Sequence, residues 1–118
     1  MIALVLAALA MGVMGYAVVN ILLLSLSWLK NFIKDLLKKN PPGITEEAVI
    51  SVQAMLEQTP TITLDDLGGD IQENDFLVVG IKEDNGVSDS VDIIRAKKVD
   101  DQVKTIMKKN GGAVKITV

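Results

Sequence analysis

The sequence contains neither cysteine nor histidine. Without cysteine, a disulfide and a thiolate zinc site are excluded, and without histidine so are nucleophile–histidine pairs and imidazole metal ligands. Carboxylates are the only abundant reactive side chains that remain. We therefore predict that the protein is not an enzyme and that it has no catalytic residues, no metal ligands and no cofactor.

Charge is also absent from the first quarter of the chain, since no charged residue precedes Lys30. A helix needs roughly 20 apolar residues to cross the hydrocarbon layer of a bilayer. Residues 1–29 exceed that length, and they lack the basic start and short apolar core of a signal peptide. A buried helix of a soluble domain is the alternative. We predict a transmembrane helix over residues 1–29, with the lipid bilayer as a partner.

Four of the first five charged residues are lysines, the other being Asp35, and they follow the apolar segment directly. Basic residues are enriched on the cytoplasmic side of membrane helices, and tryptophan is enriched at the membrane–water interface. The pattern predicts an N-terminus outside the membrane, a cytoplasmic C-terminal domain and single-pass topology. The predicted membrane-interface residues are Trp28, Lys30, Lys34, Lys38 and Lys39.

Residues 30–43 form a basic stem that ends in Pro41, Pro42 and Gly43. Leucine, isoleucine and phenylalanine recur at helical spacing from Leu29 to Leu37, with lysines on the opposite face. Such a helix is amphipathic. It either lies in the membrane interface or continues straight and packs its apolar face on a neighbour.

Small residues recur inside the apolar segment at Ala8, Gly12 and Gly15. Small side chains on one face of a membrane helix allow a second helix to approach closely. We predict a helix-packing site at these three positions, with chance occurrence of common membrane residues as the alternative.

Residues 44–118 are predicted to form a small acidic α+β domain, a mixed sheet with two helices on one face. The predicted elements are a helix over 45–60, a short strand over 61–64, strands over 76–82 and 91–96 joined through Asn85-Gly86, a helix over 99–112 and a strand over 113–118. We expect the last strand to run parallel to the strand near Ile93, because strand–helix–strand units usually cross over in that way.

The acidic character of this domain argues against nucleic acid as a partner, because phosphates require clustered lysine and arginine. The short basic run at Arg95, Lys97 and Lys98 is interpreted as a solvated face. A predicted loop carries Asp65, Asp66 and Asp70 together with Gly68 and Gly69. This loop is either a divalent-cation site or, by our preferred interpretation, a solvated acidic turn.

These features together predict a membrane-anchored structural or assembly subunit whose small domain docks on another protein or on itself. In outline, the predicted architecture resembles a type IV pilin. A long helix, first apolar and then amphipathic, is followed by a small domain. The resemblance implies a filament subunit as an alternative, and no residue role is carried over because no glutamate precedes Glu46. Two further alternatives are a minor membrane protein of a membrane-containing virion and a carboxylate–metal regulatory domain on a membrane anchor.

Overall fold

The structure is a computed structural model that describes residues 17–39, 44–58, 60–61, 63–67, 71–82 and 87–117. Within these residues the chain forms five strands and four helical segments. In chain order they are β1 (Val18–Leu24), α1 (Leu26–Lys39), β2 (Ile44–Ser51), α2 (Val52–Gln58), α3 (Leu64–Leu67), β3 (Phe76–Lys82), β4 (Val87–Val99), α4 (Asp101–Lys109) and β5 (Ala113–Thr117).

The five strands form one mixed sheet in the order β1-β4-β3-β2-β5. Strand β1 pairs with β4 in parallel, and every other neighbouring pair is antiparallel. It follows that β1 and β2 run in the same direction with β4 and β3 between them. Helix α1 is therefore the crossover that connects the edge strand β1 to β2, which lies beyond β4 and β3 in the sheet.

Apolar side chains are buried on both faces of the sheet, because consecutive strand residues point to opposite sides. Helices α1 and α4 cover one face and α2 covers the other. The first core contains Leu24, Leu29, Ile33, Val49, Phe76, Val78, Ile94, Val103, Met107, Val114 and Ile116. The second contains Ala48, Ile50, Val52, Met55, Ile71, Leu77, Val79, Ile93 and Ala113. The expectation that all helices lie on one face was wrong.

The predicted transmembrane helix is not supported, so the fold class and the single-pass membrane topology derived from it are corrected. Residues Val18–Leu24, which that prediction placed inside the helix, form strand β1, and the helix begins only at Leu26. Three of the first four strand residues, Val18, Val19 and Ile21, are β-branched, which favours extended backbone. Among the described residues, no helix combines the length and the apolar character needed to cross a membrane.

Hydrogen bonds at both ends fix β1 against β4. The Ile93 N–H donates to the Ala17 carbonyl at 2.8 Å, and the Asp100 N–H donates to the Leu24 carbonyl at 2.9 Å. The Ala17 backbone also hydrogen-bonds the Asp92 carboxylate. Burial raises the pKa of Asp92 above its ordinary value of 3.8, and the hydrogen bond from Ala17 opposes that rise.

Helix α1 has the amphipathic pattern predicted for the stem, but its apolar face packs on the chain's own sheet. Leu29 and Ile33 are completely buried there. Trp28 is half-buried and stacks on Phe32, with ring centroids 4.9 Å apart. The four lysines of the predicted membrane interface all lie on the exposed side of α1.

The remaining elements divide between correct and wrong predictions. Strand β3 has the predicted bounds, Phe76–Lys82, and α4 lies within the predicted helix. The helix predicted over 45–60 was wrong in its first half, because Ile44–Ser51 forms a strand between β3 and β5. Strand β5 pairs antiparallel with β2, so the expected parallel return beside Ile93 was also wrong.

The burial of α1 predicts the effect of trimming its inward face. Ile33→Ala should destabilise the fold by about 2–5 kcal/mol, because it removes a fully buried side chain and leaves a cavity. Lys34→Ala on the exposed face of the same helix is the matched control, with an expected change within about 0.5 kcal/mol. Urea unfolding followed by circular dichroism measures both, and equal small effects would contradict the packing of α1 on the sheet.

Candidate functional site

Strand β4 is longer than β3 and continues past it at one end of the sheet. The pairing of β3 with β4 ends at Phe76 and Ile94, whereas the pairing of β1 with β4 continues to Leu24 and Val99. Among the described residues, the last part of β4 therefore has a neighbouring strand on its β1 side alone. The chain before Phe76 does not fill the other side, because it turns towards β2.

That turn is fixed by two backbone hydrogen bonds of Asp75. Its N–H donates to the Gln72 carbonyl at 3.0 Å, and its carbonyl accepts from the Val52 N–H at 3.0 Å. The second bond joins the turn to the point where β2 passes into α2. A gap remains beside the end of β4.

The backbone of β4 presents hydrogen-bonding groups to this gap. Successive residues of a strand direct their N–H and C=O groups to alternate sides. Because Ile93 donates to Ala17 on the β1 side, Ala96 directs its N–H and C=O to the opposite side. Ala96 therefore lines the gap with one donor and one acceptor. The alternation does not continue to the end of β4, because the Asp100 N–H also donates to β1, at Leu24.

The gap opens into a groove of about 760 Å³, which we call the lysine groove. Its walls come from the end of β4, from α4, from α2, and from the turns that precede β3 and β5. The lining residues are Ser51, Gln53, Ala54, Gln58, Glu73, Asn74, Phe76, Ala96, Lys97, Lys98, Val99, Lys104, Met107, Lys108, Gly111 and Gly112.

The charged residues of the groove are almost all positive. Lys97 and Lys98 come from β4, and Lys104 and Lys108 lie four residues apart on α4. Glu73 is the one acidic residue of the lining. All four lysines are exposed to solvent. The groove thus carries a formal charge of about +3 on a chain whose net charge is −3.

The turn between α4 and β5 forms one wall by close approach to α2. Gly111 and Gly112 have φ angles of 67° and 93°, which side chains disfavour. A Cβ atom on Gly112 would lie 2.2 Å from the Cβ of Ala54. The Gln58 side-chain amide donates to the Gly111 carbonyl, and the Ser51 N–H donates to the Gly112 carbonyl at 2.8 Å. This wall is therefore held by the ends of both β2 and α2.

A buried ion pair holds the opposite wall. Asp75 is 1% exposed, and its two carboxylate oxygens accept from Nε and Nη2 of Arg95 at 2.9 Å each. One of these oxygens also accepts from the Gln72 N–H at 2.8 Å. Such two-pronged contacts combine strength with a fixed geometry. The pair ties the turn bearing Glu73 and Asn74 to the end of β4.

The sequence-predicted site residues lie elsewhere. Trp28 and the predicted interface lysines are on α1 and do not line the groove. Ala8, Gly12 and Gly15 lie outside the described residues, so the helix-packing site stays a prediction. Of the predicted acidic loop, Asp65 lies in the short helix α3 and is exposed. The described parts of the chain contain no cluster of three acidic residues that could hold a metal ion.

The groove is not evident from the sequence, because its lysines lie in two separate segments of the chain. Lys97 and Lys98 were interpreted as a solvated face, and Lys104 and Lys108 were not considered as a pair. Their helical spacing of four places both on one side of α4, which was the available signal. Whether Lys104 and Lys108 lie near Lys97 and Lys98 depends on where β4 ends, and the sequence alone does not specify that position.

Comparisons with known proteins do not assign this chain to a family. The chain matches no protein-family model, no curated protein and no solved structure. The class that the fold itself defines is a small mixed α+β domain with a five-stranded sheet.

The buried ion pair predicts a large effect from a nearly isosteric change. Asp75→Asn should destabilise the protein by on the order of 3 kcal/mol, because it leaves the Arg95 guanidinium without its carboxylate. Glu46→Gln is the matched control, because Glu46 pairs with Lys115 at 2.8 Å in a more exposed setting. We expect that control to cost about 1 kcal/mol or less. Chemical denaturation measures both, and an Asp75→Asn variant as stable as Glu46→Gln would contradict the assigned role.

Proposed function

We propose that the protein is a non-enzymatic binding module that takes an extended acidic segment of a partner protein in the lysine groove. The observation that carries the proposal is the convergence of Lys97, Lys98, Lys104 and Lys108 on one groove of an otherwise acidic chain. Complementary charge of this kind selects among partners and speeds their encounter.

The backbone of β4 supports an extended rather than a compact ligand. A peptide that lies beside Ala96 would continue the sheet where β3 ends, and main-chain hydrogen bonds would hold it. The described chain places no strand there. The N–H and C=O of Ala96 would pair with a main-chain acceptor and a main-chain donor of the ligand.

The remaining lining residues fit the alternating side chains of such a ligand. Residues of a bound strand point alternately to the two sides of the sheet. Phe76, Ala96 and Met107 provide an apolar surface, while the lysines and the amides of Gln53 and Asn74 are polar. An acidic segment with apolar residues at alternate positions would therefore match the groove best.

This proposal retains one part of the predicted function, docking on another protein subunit, and assigns it to the domain itself. It requires no catalytic group, in agreement with the predicted absence of enzymatic activity. The predicted location and orientation of the protein stay predictions.

A labelled peptide of six residues that alternates glutamate and valine tests the proposal by fluorescence anisotropy. We expect saturable binding that weakens as salt concentration rises, because exposed charges are screened. Lys104→Glu combined with Lys108→Glu should weaken binding by at least about tenfold, or ~1.4 kcal/mol. The same peptide with methylated backbone nitrogens should also bind more weakly, since it loses donors.

The matched control is Lys34→Glu combined with Lys38→Glu on α1. It has the same spacing, the same change in net charge and similar exposure, but it lies outside the groove. We expect its affinity to remain within about twofold of the unchanged protein. Equal losses in the two double variants would contradict the proposal, and so would tighter binding of a single-stranded oligonucleotide than of the peptide.

A further inference from the structure

The lysine groove is closed at the end where β3 begins. Phe76, the first residue of β3, pairs with Ile94, so the place beside Ile94 on that side of β4 is already occupied. Ala96 lies two residues further along β4 and lines the groove. Because successive strand residues are about 3.3 Å apart, an extended ligand beside Ala96 has room for only about one further residue before it reaches Phe76.

The turn that precedes β3 completes this closed end. The Asp75 carboxylate in the turn is bound by Arg95, which directly precedes Ala96 on β4. Two residues before Asp75, the side chain of Glu73 is exposed and lines the groove. An acidic side chain therefore lies at the end of the groove that an extended ligand does not pass.

The charges of the groove differ between this end and the rest of its lining. Lys97 and Lys98 lie further along β4, away from β3, and the other two lysines come from α4. At the closed end, the charge of Asp75 is already balanced by Arg95. Glu73 is thus the acidic group of the lining that a cation of the ligand would meet there.

We propose, on the basis of the function proposed above, that the groove receives the free N-terminus of the acidic partner segment, with its α-ammonium group beside Glu73. The ligand then runs parallel to β4, and its later residues reach the lysines. The opposite direction would place a C-terminal carboxylate beside Glu73, where like charges repel. An internal segment would bring no cation to this end and would have to turn out of the groove at Phe76.

The hydrogen-bonding groups of Ala96 agree with this direction. In a parallel pair, the N–H and C=O of one residue bond to the two residues that flank its partner on the neighbouring strand. With the second ligand residue beside Ala96, the first fills the remaining space before Phe76 and its carbonyl accepts from the Ala96 N–H. The third ligand residue donates its N–H to the Ala96 carbonyl. The α-ammonium group takes no part in these bonds and stays free to pair with Glu73.

Two versions of the glutamate–valine peptide, one with a free N-terminus and one acetylated, test the proposal by fluorescence anisotropy. Both carry the label at the C-terminus. We expect the free peptide to bind about threefold more tightly, as is typical of an exposed ion pair. The sign of the difference is decisive. Acetylation makes the peptide more negative, so attraction to the lysines alone would make the acetylated peptide bind more tightly.

A matched pair of variants assigns the effect to one carboxylate. Glu73→Gln should remove or reverse the preference for the free peptide, whereas Glu57→Gln should preserve it. Glu57 is exposed on α2 and undergoes the same change in charge, but it does not line the groove. In the free peptide, methylation of the third backbone nitrogen should weaken binding more than methylation of the second, since only the third donates to Ala96.

The outcomes separate this inference from the proposed function. Equal binding of the two peptides to the unchanged protein, or tighter binding of the acetylated one, would overturn the N-terminal orientation while the groove remained a site for acidic segments. A preference for the free peptide that persists in Glu73→Gln would overturn the role of Glu73. If neither peptide binds, the proposed function and this inference are both wrong.

Discussion

The pairing of β1 with β4 is the constraint on which the rest of the structure depends. It converts an uncharged stretch of chain into the first strand of the sheet and places the start of α1 at the sheet edge. It also supports the end of β4, which has no other neighbouring strand in the described chain. Lys97 and Lys98 lie on this extension of β4 and line the lysine groove. The fold and the proposed site therefore share one cause.

Charged residues have different roles in different parts of the molecule. The buried carboxylate of Asp75 pairs with the half-buried guanidinium of Arg95 and fixes a turn against a strand, a structural use of charge. The four groove lysines are exposed and share the groove lining with a single acidic residue, so the groove attracts a negative ligand. The lysines of α1 are equally exposed but do not line this groove. Convergence on one groove, rather than the number of lysines, distinguishes the candidate site.

Local signals in the sequence predicted two of the elements correctly. Helix α4 and strand β3 were found because acidic and basic helix ends and a β-rich run are readable within a few residues. Strand β2 was mistaken for a helix because Ala48, Val49 and Ile50 are buried on both faces, while Glu46 and Glu47 resemble the acidic first turn of a helix. Strand β1 was missed for a related reason, since a long apolar run fits a membrane helix as well as a strand. The groove was beyond prediction, because its lysines come from two elements whose relative position is set by tertiary packing.

Backbone NMR of residues 17–39 in the full-length protein tests the central claim most directly. The account predicts extended chemical shifts for Val18–Leu24, helical shifts from Leu26 onwards, and nuclear Overhauser effects between Ile21 and Ala96 across the paired strands. It also predicts slow hydrogen exchange for the Ile93 amide, which donates to Ala17. Helical shifts running without interruption from Val18 to Lys39, with no contact between Ile21 and Ala96, would contradict it.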